Sequence, residues 1–70
     1  MRKPDPRAYV RLAALLRDQL APGESLPSIR ELHAKHGHSR QTVGKALRIL
    51  EEEGLIYRVP GLGYYAAEPN

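Results

Sequence analysis

Between Ser39 and Arg48 the sequence SRQTVGKALR gathers side chains that can read nucleic acid. An arginine fork matches the two hydrogen-bond acceptors that guanine offers in the major groove, and a glutamine amide matches adenine. Arg40 and Gln41 supply those groups. The short hydroxyls of Ser39 and Thr42 suit phosphates or base edges, and Lys45 and Arg48 add cationic ends. On a helical wheel Gln41, Gly44, Lys45 and Arg48 fall opposite a stripe of Val43, Ala46, Leu47 and Leu50. The start of such a helix itself favours a phosphate. Gly44 fits less comfortably, because a mid-helix glycine costs about 0.5–1 kcal/mol against alanine. It is expected where the backbone approaches a partner closely, or at a tolerant exposed site.

Other chemistries find less support. His33, His36 and His38 lie close together, and imidazoles are common metal ligands. They straddle a glycine turn, however, with no cysteine and few carboxylates nearby, so no metal site is expected. Glu51, Glu52 and Glu53 are consecutive on a helix and point in different directions, which suits a solvated end rather than a catalytic pair. Gly61-Leu62-Gly63 has no following helix or lysine, so it is not a phosphate loop. No nucleophile and base can be paired. The chain is not expected to be an enzyme, and no cofactor is expected.

The elements that would position these residues can be read in order. Tyr9, Leu12, Ala13, Leu16 and Leu20 repeat at helical spacing, so a first helix is predicted from Arg7 to about Leu20. The stretch before it, residues 1–6, reads as a loose tail. APGES ends the helix, and Leu26 is predicted to sit in a very short strand. Ser28 with Glu31 three residues on is a capping box, so a second helix starts there and runs to about His36. Gly37 suits a left-handed turn at its end. Ser39 can cap a third helix, and Gly54 lies just past that helix's end. LIYRV and YYAA are β-prone and flank the turn PGLG, which reads as a hairpin with one of Tyr64 and Tyr65 in the core. The expected fold is mainly α with a small β wing. It is a winged helix-turn-helix of three helices and a two-stranded hairpin, spanning residues 7–68, with the helix-turn-helix at about 28–50 and the wing at about 55–67.

Composition supports that reading. Seventy residues allow one small domain and no roomy active site. There is no cysteine, so there is no disulfide framework. No apolar run approaches a membrane span. Arg11, Arg17 and Asp18 interrupt any signal-peptide core, so a cytoplasmic protein is expected. The net charge of +3 is unevenly placed. Arg30, Lys35, Arg40, Lys45 and Arg48 stand against Glu31 alone in the middle of the chain, while the last third is acidic. One face is thus suited to a polyanion.

The run LPSIRELHAKHGHSRQTVGKALRILEEEGLIYRVPGLGYY, Leu26 to Tyr65, resembles the N-terminal DNA-binding domain of the GntR family of bacterial transcription regulators. The family pattern is Pro-Ser before an Arg-Glu-Leu helix, then Gly-x-Ser-Arg-x-Thr-Val, Ala-Leu-x-x-Leu-x-x-x-Gly-Leu and a Gly-x-Gly wing. The resemblance implies a winged helix that binds operator DNA, usually as a dimer and usually as a repressor. By position, Arg30 matches the DNA-contacting arginine of the second helix. Arg40 and Thr42 match recognition-helix contacts, Ser39 the helix-starting hydroxyl and Gly61 the wing-tip glycine that reaches the minor groove. The chain departs from the pattern in several places. Gly44 stands where arginine is common and Lys45 where an acid is common. Pro60 and Leu62 replace polar or basic wing residues, and His38 replaces valine. The family's effector-binding, dimerising domain has no counterpart in these residues, so the expectation is either a stand-alone DNA-binding module, which the Met1 start mildly favours, or a piece of a longer chain. Its partners would be double-stranded DNA at paired half-sites and a weakly bound second copy or a partner protein. A winged-helix adaptor that docks a protein, with a degenerate DNA face, is the alternative.

Overall fold

The structure is a computed structural model that describes residues 5–68. Of the expected N-terminal tail, only Asp5 and Pro6 fall among the described residues, and they open the first helix. The order is α1 (Pro6–Gln19), α2 (Ile29–His36), α3 (Arg40–Glu52), β1 (Ile56–Val59) and β2 (Gly63–Ala66). Three helices and an antiparallel hairpin make a winged helix-turn-helix, as expected.

Local chemistry sets each boundary. The Asp5 carboxylate accepts from the Arg7 backbone N–H at 2.9 Å, and Pro6 follows at the position where a missing N–H costs nothing. The first helix thus begins one residue earlier than its apolar repeat suggests. Ser28 and Glu31 form the capping box reciprocally, with bonds of 3.1 and 3.2 Å. Gly37 ends α2 at φ +72, a backbone conformation that side chains with a Cβ rarely adopt. Two residues later Ser39 caps α3, its hydroxyl accepting from the Thr42 N–H at 3.1 Å. At the far end Gly54 N–H donates to the Glu51 carbonyl and Leu55 N–H to the Leu50 carbonyl, each at 3.0 Å. That is the Schellman pattern, and it satisfies two carbonyls the helix leaves open.

The core forms where three apolar faces meet. Leu12, Ala13 and Leu16 of α1, Leu32 of α2, and Val43, Ala46, Leu47 and Leu50 of α3 are buried together with Ile56 of β1. At roughly 1.5–3 kcal/mol for each large side chain buried, this cluster fixes the inward stripe of α3 and so turns the opposite face of that helix outward. Arg17 of α1 also grips Glu53 just past α3, with guanidinium–carboxylate contacts of 2.7 and 2.9 Å.

The hairpin pairs Ile56 with Ala66, Tyr57 with Tyr65, Arg58 with Tyr64 and Val59 with Gly63. Its turn is Val59-Pro60-Gly61-Leu62, closed by Leu62 N–H to the Val59 carbonyl at 3.0 Å, with Gly61 at φ +82. Proline followed by a positive-φ glycine is the type II arrangement. Ser25 forms an isolated bridge to Tyr65, and Leu26 N–H donates to the Tyr64 carbonyl at 2.8 Å, so this stretch lies against β2, but as a single bridge at Ser25 rather than the short strand expected at Leu26. Tyr64 packs on the core while Tyr65 stacks on Tyr57, with ring centroids 6.0 Å apart. Among the described residues no helix is long and apolar enough to cross a membrane.

Candidate nucleic-acid interface

The site is assembled on α3. Arg40, Gln41, Lys45 and Arg48 are all exposed, on the side away from Val43, Ala46, Leu47 and Leu50, each of which is fully buried. Arg40 is the first residue of the helix, so its cation stands at the helix N-terminus. Arg48 is 73% exposed and only loosely paired with Glu52, at 3.9 Å. Such exposed pairs contribute little, about 0.3–0.5 kcal/mol, so Arg48 can exchange that carboxylate for another anion.

The two hydroxyls do different work. Ser39 is exposed and holds the helix start, donating to the Thr42 hydroxyl at 3.0 Å as well as accepting from the Thr42 N–H. Thr42 is only 6% exposed, so it braces the cap from beneath. Thr42 is one helical turn from Ala46, which draws it toward the buried stripe. Gly44 is half-buried, and a Cβ placed there would meet nothing within 4 Å. The chain itself therefore does not require glycine at that position.

Arg30 is the second residue of α2 and is exposed. It lines a groove between the start of α2 and the hairpin that also takes in Arg58, Gly61, Leu62 and Tyr64. Arg58 was not among the residues singled out by the sequence. Strand alternation carries a signal for it: Arg58 is two residues from buried Ile56 and so shares its face. Gly61 is exposed at the wing tip beside Leu62, which is 72% exposed.

The histidines divide by role. The ring of His33 donates from Nδ1 to the His38 carbonyl, tying the last turn of α2 to the residue before Ser39. A carbonyl oxygen can only accept, so this nitrogen carries the proton. His36 has its Nε2 buried without a hydrogen-bond partner among the described residues. No group of three or more potential ligands that could hold a metal ion occurs among them either.

Comparison with known proteins places this geometry. The DNA-binding domain of AraR in complex with an operator superposes with a TM-score of 0.80 at 29% identity, over 86% of this chain and 78% of that one. A GntR family transcriptional regulator from Listeria monocytogenes gives a TM-score of 0.84 at 28% identity, covering 99% of this chain and 64% of that chain. The histidine utilization repressor of Klebsiella aerogenes is 48% identical over 49 residues, 70% of this chain. The chain spans 20% of that relative's length, and 14% of the regulator YdcR from Escherichia coli, to which it is 42% identical over 66 residues. Fold and site together define a winged helix-turn-helix domain of the DNA-binding kind. The model of the bacterial regulatory proteins of the gntR family matches residues 6–65, and the chain belongs to that family. Regulators of this kind bind double-stranded DNA.

Proposed function

We propose that this domain binds operator DNA sequence-specifically and, as part of a bacterial regulator, represses transcription in the cytoplasm. The observation that carries the reading is the exposed face of α3. Arg40, Gln41, Lys45 and Arg48 stand clear of the core on a helix whose inward stripe is completely buried. In a helix-turn-helix the second helix of the unit lies in the major groove with its N-terminal residues at base edges. Arg40 and Gln41 are the base-reading pair, and Lys45 and Arg48 follow the groove. Ser39 fixes the helix start against a phosphate, braced from beneath by Thr42. Arg30 takes the backbone on one flank, and the wing tip at Gly61 reaches the adjacent minor groove. Gly44 lets the helix seat closely. AraR, similar in structure, is described with its operator, and relatives such as the histidine utilization repressor and the repressor NagR of Bacillus subtilis are named for repression.

Selection of bound sites from a pool of random duplexes tests the reading. Enrichment of one short motif, with binding that weakens as salt rises, is the expected result. Recovery of no motif together with salt-independent behaviour would favour a protein-docking adaptor instead.

A further inference from the structure

The arginines of α1 fall into two kinds. Arg17 is committed to the fold, held by both carboxylate oxygens of Glu53. Arg7 and Arg11 have no such partner. Arg7 meets only Asp5, at 3.7 Å with the guanidinium 88% exposed, and Arg11 forms no ion pair among the described residues. The two sit four residues apart, so they share one helix face, where like charges repel. No acid on α1 lies one turn from Arg11. The same face borders a cleft of about 640 Å³ lined by Asp5, Arg7, Arg11, Leu15 and His38. His38 immediately precedes Ser39 and Arg40, and its carbonyl is already taken by the His33 ring. The cleft therefore opens directly beside the start of the recognition helix.

We propose that this cleft between the first two turns of α1 and the turn before α3 is a further seat for the DNA backbone, with Arg7 and Arg11 neutralising phosphate. The inference rests on the DNA-binding reading above and extends its footprint to an element outside the helix-turn-helix. Three features carry it. Of two cations on one face, Arg11 has no ion pair among the described residues and Arg7 only a loose, exposed one. The cleft reaches His38, two residues before Arg40. Phosphates are the anions that a duplex supplies continuously along that line, and contacts to them position a protein without reading sequence. Asp5, which caps the helix through the Arg7 backbone N–H, keeps its charge but faces Arg7 alone, so it offsets at most one of the two cations.

The test is the salt dependence of binding to a short mixed-sequence duplex and to the selected site, followed by fluorescence anisotropy. Arg7→Ala and Arg11→Ala replace exposed helix residues by the best helix former, so circular dichroism should be unchanged. The double variant should bind every sequence more weakly and leave the site preference intact. The slope of log K against log salt should fall by roughly 0.9 for each phosphate that is no longer neutralised. Replacing both arginines by lysine should restore the slope, because charge alone is required. Arg40→Ala should instead alter the preference among sites. An unchanged slope and affinity in the double alanine variant, while the parent protein binds normally, would overturn the second seat and leave the proposed function standing. Absence of salt-dependent binding by the parent protein would overturn both.

Discussion

At position 40 a single side chain is asked to supply sequence discrimination. Arg40 is exposed at the first turn of α3, where its fork can meet a guanine edge, and its removal disturbs no core packing. Arg40→Ala should cost roughly 1–3 kcal/mol on the preferred site and relax specificity there, with the fold unchanged by circular dichroism. Unaltered affinity and preference would remove Arg40 from the base-reading role. Gly44 permits a sharper experiment, because stability and binding should move in opposite directions. An added methyl meets no atom of the chain within 4 Å, so Gly44→Ala should raise stability by about 0.5–1 kcal/mol. If the backbone seats closely on DNA, the same methyl should weaken binding. A variant that is more stable and binds equally well would mark position 44 as merely tolerant. His36 offers a third case. Its buried Nε2 has no hydrogen-bond partner among the described residues, and an unsatisfied buried polar atom costs about 1–3 kcal/mol. His36→Phe replaces that nitrogen by carbon and should raise stability by about 1 kcal/mol in chemical denaturation.

At the scale of elements, the start of α3 governs how the reading residues are presented. The Ser39 hydroxyl both accepts from the Thr42 N–H and donates to the Thr42 hydroxyl, so one side chain orders the first turn. Ser39→Ala should cost about 0.5–2 kcal/mol in thermal or denaturant unfolding. DNA affinity should fall by more than that destabilisation alone predicts, because Arg40 and Gln41 depend on the same turn. What the sequence made legible at this scale was local. Apolar spacing predicted α1 and α3, the Ser28–Glu31 pair announced α2, and Gly37 and Gly54 marked two ends through their backbone freedom. The parts that escaped are joined by tertiary structure. Arg17 and Glu53 are 36 residues apart in sequence, and no periodic pattern links them. Arg58 comes to line the same groove as Arg30 only when the hairpin packs on α3. The His33 tie to the His38 carbonyl depends on how tightly the turn closes, which the residue types alone do not specify. Caps and stripes depend on near neighbours and can be read along the chain, whereas a site built between elements depends on how those elements pack.

For the whole molecule the decisive fact is that one domain carries one recognition helix. It therefore reads one half-site, and half-sites in such operators are spaced by about 34 Å, one turn of the duplex, or a multiple of it. A single module buries roughly 600–1,000 Å² against DNA. With glycine at position 44 and a wing tip of Pro60-Gly61-Leu62, its affinity alone should approach the non-specific range of about 10⁻⁴–10⁻⁶ M. Pairing two modules on adjacent half-sites raises affinity through effective concentration, without any new base contact. Among the described residues the large exposed apolar side chains that could pair them are few: Val10 and Leu15 on α1, and Leu62 with Tyr57 on the wing. Tyr65 is partly spent in stacking on Tyr57. Two exposed apolar side chains on each of two elements make a small contact beside the roughly 1,200 Å² at the lower end of stable interfaces. The seventy-residue chain should accordingly be a monomer or weak dimer in free solution and should fill both half-sites of a paired operator cooperatively. Sedimentation of the protein alone, and on duplexes carrying one half-site or two, distinguishes the cases. A tight dimer without DNA would show that one of these patches is larger in effect than its exposed area suggests. Equal affinity for one half-site and two would show that each domain binds on its own account, with the base contacts of α3 sufficient in themselves.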